Sequence, residues 1–248
     1  MFIVLSCPLP LCPFVFDWKE YYPEAELEVS LLEEPIVFGL GKNCSLASIF
    51  NRIGLRKRSY PFDWNVTTFK ILCNLIENDF EDFLNPSNLL WSNQKTFIEE
   101  LRYGVEFYRD FFEIKKQENP SEKWMITDDV SDRQIYENVL KRYLRRVARF
   151  YAVLNSGKPI VLFRFDNPDS ISKEQALHLY DLLKMKAPHS NFHLIFIQVM
   201  PGEVFLEEDW GLGACIRCFN VGRDGKYNPA LTGYHSDWDL VLKELTLK

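Results

Sequence analysis

The sequence predicts an α/β fold, a mostly parallel sheet with helices on both faces and Cys44 at the first strand–helix junction. Three observations carry this. Short apolar runs alternate with stretches of helical periodicity along most of the chain. The apolar runs lack the strict period-two polarity of a sheet with one wet face, so both faces are expected to be covered. The first run ends in glycine and passes directly into a helical pattern.

In order, residues 1–34 carry Pro8, Pro10, Pro13 and Pro23 and then an acidic stretch. They read as an irregular arm with one short strand at 2–5. Residues 35–248 read as a single α/β domain with an inserted helical and hairpin region at about 66–130. The segment PIVFGL at 35–40 is the first buried strand. Leu46, Ile49, Phe50 and Ile53 then fall on one helical face, and Gly54 stops the helix. A second helix spans 67–77, with Cys73 on its apolar stripe as a core residue. Residues 95–101 and 104–108 suggest a hairpin, and 115–129 a polar surface loop.

A long helix at 132–154 buries Leu140, Tyr143, Leu144, Val147, Tyr151 and Leu154. Its Lys141, Arg142, Arg145, Arg146 and Arg149 read as a solvated face rather than a phosphate grip, because no aromatic platform is interleaved with them. Strands follow at 160–165, 193–199 and 215–221. A helix at 173–186 lies between the first two, opened by a capping box of Ser172 and Gln175. A last helix begins at Ser236 and buries Trp238, Val241, Leu242 and Leu245.

Of the 248 residues, 47% are hydrophobic and 15% aromatic, which excludes a disordered chain and suffices for a large core. The net charge of −6 argues against a nucleic-acid partner along the surface. Residues 1–16 are apolar but broken by prolines and have no early Lys or Arg, a poor signal peptide, and no run reaches membrane-spanning length. The expectation is a soluble, cytoplasmic protein with reduced thiols. Cys7 and Cys12 lie among the arm's prolines. Cys215 and Cys218, three apart on a strand, point to opposite faces and suit a metal poorly. No metal and no cofactor is expected.

In a parallel sheet the ligand lies beyond the carboxyl ends of the strands. Those ends bring together Gly39, Gly41, Lys42, Asn43 and Cys44 after the first strand, then Arg164, Asp166 and Asn167. Later strands add Glu203, Gly222, Arg223 and Asp224. Cys44 is the sharpest feature. A cysteine in the first turn of a helix faces unsatisfied N–H groups and the positive end of the helix dipole, which favour thiolate, the attacking form. The same N–H groups and the Asn43 amide could form an oxyanion hole. Gly41, Asn43, Asp63, Arg164 and Asp166 are the candidate substrate-binding residues.

A thiol enzyme also needs a base. Of four histidines, His178 lies in a helix, His189 in a loop and His193 at a strand start. His235 precedes the last helix, where Asp237 or Asp239 could orient it. Asp63 either closes a tight turn or enters the Cys44 site. The glycine pair Gly39 and Gly41 also leaves open a nucleotide, sugar-nucleotide or phosphate site, although the third glycine of a dinucleotide fingerprint is absent.

The stretch FGLGKNCSLASIF from Phe38, with GLR at Gly54 and SYPFDW from Ser59 to Trp64, resembles a family of uncharacterised proteins described as papain-like cysteine peptidases. Arg102-Tyr-Gly-Val-Glu-Phe107, the run from Arg145 to Phe150 and Pro159-Ile-Val-Leu-Phe-Arg164 are similar too, so the resemblance covers roughly 35–245. It implies a cysteine nucleophile at Cys44, a hydrolase or transferase, and a peptide or acyl substrate. It also implies an alternative fold, papain-like α+β, with the cysteine helix beside a separate antiparallel barrel. The family tends to place His-Asp-Phe after the Tyr-Gly segment. Here Arg109-Asp110-Phe111 stands there. Two outcomes follow: another histidine such as His235 is recruited, or the chain is an inactive interaction protein.

Overall fold

The computed structural model describes residues 22–92, 96–111, 130–166 and 171–223. The main sheet contains β1 (Ile36–Gly39), β5 (Pro159–Asp166), β6 (Asn191–Glu208) and β7 (Ile216–Arg223), in that spatial order. A small antiparallel sheet is built from β2 (Leu89–Trp91), β3 (Ile98–Glu100) and β4 (Val105–Phe107). The helices are α1 (Ala25–Ser30), α2 (Ser45–Arg52), α3 (Phe69–Glu77), α4 (Val130–Leu154) and α5 (Lys173–Lys186).

The pairs β1–β5 and β5–β6 are parallel throughout, with Gly39 opposite Phe163 and Phe163 opposite Ile195. β6 runs parallel to β7 from Leu194 to Met200, then turns back. Leu206, Glu207 and Glu208 pair with Asn220, Phe219 and Cys218, a descending register that makes the return antiparallel. The chain is therefore α/β with a mostly parallel sheet. Period two divides its side chains between two cores. On one face, Leu46, Ile49 and Phe50 of α2 cover Phe163, Ile195, Ile197, Phe219 and Val221. On the other, residues of α1, α3, α4 and α5 pack on Phe38, Leu162, Leu194 and Phe196.

Most elements lie where hydrophobic periodicity places them. α5 has the predicted bounds, with both hydrogen bonds of its capping box present. Cys73 is core. Three differences have physical causes. α1 lies within the stretch read as an irregular arm; its good helix formers are held by burying Ala25 and Val29 and by docking on α4. β2 was not foreseen, since a three-residue strand carries too little pattern to register. The arginine face of α4 is not simply solvated. Arg146 and Arg149 are buried, because the chain at 56–67 and α1 fold over that side. Arg149 donates to Glu28 Oε2 at 2.7 and 2.9 Å and to the Ser59 carbonyl at 2.7 Å. The strand at 2–5, the loop at 115–129 and the helix from Ser236 lie outside the described residues.

The β3–β4 turn holds a buried acid. Glu100 is fully buried. One oxygen accepts from the Tyr103 N–H at 2.9 Å, and Oε1 has no hydrogen-bond partner. Burial pushes its carboxyl up to about 7, against the opposing pull of the Tyr103 and Arg102 N–H groups. From an unfolded value near 4.5 to about 7, the native chain keeps a proton that the unfolded chain has released. This group's contribution therefore weakens the fold as pH rises through that window. Glu100→Gln is expected to stabilise the protein at pH 8, on the order of 2–3 kcal/mol, with little gain at pH 4.5. Urea midpoints at the two pH values measure it, and equal shifts at both would refute the assignment.

Candidate functional site

The sheet's carboxyl edge is built around the loop 39–44. The β1–β5 pairing continues one step past the strand, where Leu40 N donates to Phe163 O at 2.7 Å. Gly39 lets α2 approach, since a Cβ there would stand 3.1 Å from Leu46 Cβ. Gly41 and Lys42 both have φ near +81°. For lysine this is a strained conformation. Thr67 pins it from both sides. Its N–H donates to Lys42 O at 3.0 Å, and its Oγ1 accepts from Lys42 N at 3.4 Å.

This double left-handed step redirects the chain into α2, with Cys44 as its N-cap residue. Asn43 Oδ1 accepts from the Ser45 N–H at 2.9 Å, which fixes the amide and leaves its NH2 as the unused end. The Cys44 side chain makes no capping hydrogen bond, and its thiol is free and partly exposed. Among the described residues the Asn43 and Cys44 N–H groups have no hydrogen-bond acceptor, as expected of donors at a helix start.

Arg164 braces this loop from beneath. It is fully buried, and all three guanidinium nitrogens are used. Nη1 donates to Leu40 O and Nη2 to Thr67 O, each at 2.9 Å; Nε and Nη2 donate to Asp166 Oδ2 at 3.1 and 2.8 Å. The other Asp166 oxygen lies 3.4 Å from Lys42 Nζ, which also sits over the Phe165 ring. Burial lowers the affinity of Lys42 for its proton, Asp166 opposes that, and Arg164 adds to it.

Asp63 is taken by its turn. Oδ2 accepts from Tyr60 N at 2.9 Å and from Arg56 at 3.2 and 3.3 Å, and burial raises its carboxyl despite these donors. The turn matters to the loop all the same. Phe62 Cβ and O are among the atoms that a Cβ on Gly41 would meet. The two most distinctive segments of the sequence, FGLGKNC and SYPFDW, thus pack against each other.

No described histidine reaches Cys44 by a hydrogen bond. His193 lies near the start of β6, and its Nδ1 is 3.1 Å from Ala214 O. His189 precedes the same strand, at the edge opposite Cys44, and His178 is exposed on α5. His235, Asp237, Asp239, Asn167 and Asp224 lie outside the described residues. Arg109 is exposed after β4. Its neighbours are structural: Asp110 accepts from Arg142 and from the Tyr143 hydroxyl at 2.7 and 2.8 Å, and Phe111 is core. Cys215 is exposed, whereas the buried Cys218 accepts from Gln198.

Arg164 and Asp166 are legible in the sequence as strand-end residues, whereas the Thr67 clamp on Lys42 and the Lys42–Asp166 pair depend on tertiary contact. The signal for Arg164 as a brace was present. In the run VLFRFD, period two places it on the inner row with Ile160 and Leu162, and an arginine there must be fully paired.

Fold and loop define an α/β domain with a partly exposed cysteine at a strand–helix junction. Residues 36–201 match the family described as "Putative papain-like cysteine peptidase", and the chain belongs to that family. An uncharacterised protein of Acanthamoeba polyphaga mimivirus is 29% identical, the match covering 60% of this chain and 70% of the viral one. No solved structure matches. No helix among the described residues is long and apolar enough to cross a membrane.

Proposed function

We propose that the chain is a thiol-dependent hydrolase or transferase acting on an acyl, peptide or isopeptide bond, with Cys44 as nucleophile. The observation that carries this is the placement of a free, partly exposed thiol at the N-cap of α2, uncommitted to capping, in a chain of this family. The thiolate attacks the carbonyl carbon. The developing oxyanion takes hydrogen bonds from the Cys44 N–H and the Asn43 amide. Collapse expels the leaving group, which is protonated by the conjugate acid of the base. Water or an acceptor amine then cleaves the thioester.

The base in this reading is His235, oriented by Asp237. β7 ends at Arg223 on the same edge as Cys44, and His235 follows a dozen residues on, a reach of up to about 40 Å of extended chain. Gly41 shapes the substrate face, and Arg164 and Asp166 support it from beneath. The free thiols suit a reducing compartment such as the cytosol.

The test is covalent capture. A panel of acyl and peptidyl electrophiles is expected to label Cys44, read by mass spectrometry of the intact protein and its peptides. Cys44→Ala should abolish the label. His235→Ala should slow it by about 10²-fold or more, the usual worth of a general base. A panel that never labels Cys44 would sink the nucleophile assignment. An unchanged rate in His235→Ala would assign the base elsewhere.

A further inference from the structure

We propose that residues 236–245 of this chain dock as a helix on the open part of the main sheet's α2 face, and that this docking carries His235 to Cys44. The second half rests on the reading of His235 as base, and the docking itself does not. The two faces of the sheet are unequally covered. One carries residues of α1, α3, α4 and α5, whereas among the described residues α2 is the only helix on the other. The consequence shows in the two central strands. Leu162 and Leu194 are fully buried, but Val161 and His193, one residue earlier and on the opposite face, are half-buried and exposed.

A cavity of about 740 Å³ lies over them. Its floor crosses the amino ends of the strands, from Val161 of β5 through His193 and Ile195 of β6 to Arg217 of β7 and Glu207 of the returning part of β6. Period two places all five on the α2 face, where Val161, Ile195 and Phe219 lie, and Glu207 is the partner of Phe219 in the ladder. The loop 209–214 closes the lower end. Five strand positions about 4.8 Å apart make a face about 20 Å wide, and packed helices lie about 8–10 Å apart. A single helix of eight residues therefore leaves room for a second.

Connectivity names the occupant. The arm 1–21 joins the described chain at Tyr22, which packs with α1 on the opposite face. Residues 224 onward leave β7, a strand that borders the cavity, at the carboxyl edge. The helix expected from Ser236 has Trp238, Val241, Leu242 and Leu245 along one side, a stripe that needs an apolar surface. The lengths agree. Nine helical steps cover about 13 Å, the length of four strand steps. A helix that starts level with Val199, near the carboxyl edge, brings Leu245 level with Ile195 at the cavity. It runs the same way as α2, which begins at Cys44 on that edge. Cys44 and His235 then stand at matching ends of neighbouring helices, whose axes lie about 8–10 Å apart, within reach of two side chains.

Photo-cross-linking of the full chain reads the occupant directly. With p-benzoyl-L-phenylalanine in place of Val161, irradiation is expected to join position 161 to residues 236–248 of the same molecule, read by gel and by peptide mass spectrometry. A cross-link to residues 1–21, a product of twice the mass, or no cross-link at all would overturn the docking. Leu242→Asp should lose the cross-link, because it puts a charge on the stripe. It should also slow electrophile labelling of Cys44 as far as His235→Ala does. A cross-link that survives Leu242→Asp undiminished would count against the docking as well.

The docking and the base assignment fail separately. The expected cross-link, together with labelling unmoved by His235→Ala, would keep the docking and remove His235 as base. Labelling slowed by His235→Ala in a chain that gives no cross-link would keep the base and overturn the docking.

Discussion

Arg164→Met is expected to cost about 3–5 kcal/mol of stability, the range for breaking a buried ion pair from one side. The guanidinium is fully buried and makes four hydrogen bonds, to Leu40 O, to Thr67 O and twice to Asp166. Methionine fills much of the volume but donates nothing. Two main-chain carbonyls and one carboxylate oxygen would lose the guanidinium as donor in a region with little water. Lys42 still lies beside the other Asp166 oxygen. Arg164→Lys should fare little better, because a single ammonium cannot replace a planar fork aimed in three directions. Asp166→Asn should cost less, since its amide oxygen still accepts from Arg164. Urea midpoints with unchanged m-values measure all three. A loss below 1 kcal/mol for Arg164→Met would show that the brace is dispensable.

This brace explains how far the sequence alone could go. Element positions were legible because apolar periodicity is a local signal. The stripe at Leu46, Ile49, Phe50 and Ile53 is α2, and the inner and outer rows of β5 follow from alternation. The loop was legible because glycines between a strand and a helix have few other uses. The depth of Arg164 was half legible. An arginine in an apolar run announces pairing, but its partners at 40 and 67 depend on tertiary contact.

Thr67 illustrates what was hidden. Nothing in its own neighbourhood says that it clamps Lys42, twenty-five residues earlier. The arginines of α4 failed for the same reason. Helical spacing places Arg142, Arg146 and Arg149 on one side, yet only the fold shows that α1 and the chain at 56–67 cover it. Arg146 is left with Nε and Nη1 unpartnered against the Tyr143 ring, for which the structure offers no account.

Gly41→Ala is the second large effect, and it tests whether loop geometry limits the site. Two costs combine. A φ of +81° strains any L-residue, by about 1–2 kcal/mol. The added methyl would also stand 2.6 Å from Thr67 Oγ1, 3.0 Å from Phe62 Cβ and 3.2 Å from Phe62 O. Overpacking of this kind costs a further 1–3 kcal/mol or so. Relief of the contact, by turning the Thr67 hydroxyl away or by moving the loop off it, loosens the clamp on Lys42 next to Cys44. The expected result is a loss of about 2–5 kcal/mol with slower electrophile labelling of Cys44 at temperatures where the variant stays folded.

Thr67→Ala separates the two costs. It removes the nearest atom but leaves the φ strain and both Phe62 contacts. The double variant Gly41→Ala/Thr67→Ala should therefore be more stable than the sum of the singles predicts, yet less stable than Thr67→Ala alone. Strict additivity would mean that Thr67 is not what the loop presses against, and the clamp would have to be abandoned. Full recovery in the double variant would mean that the left-handed backbone carries no strain of its own.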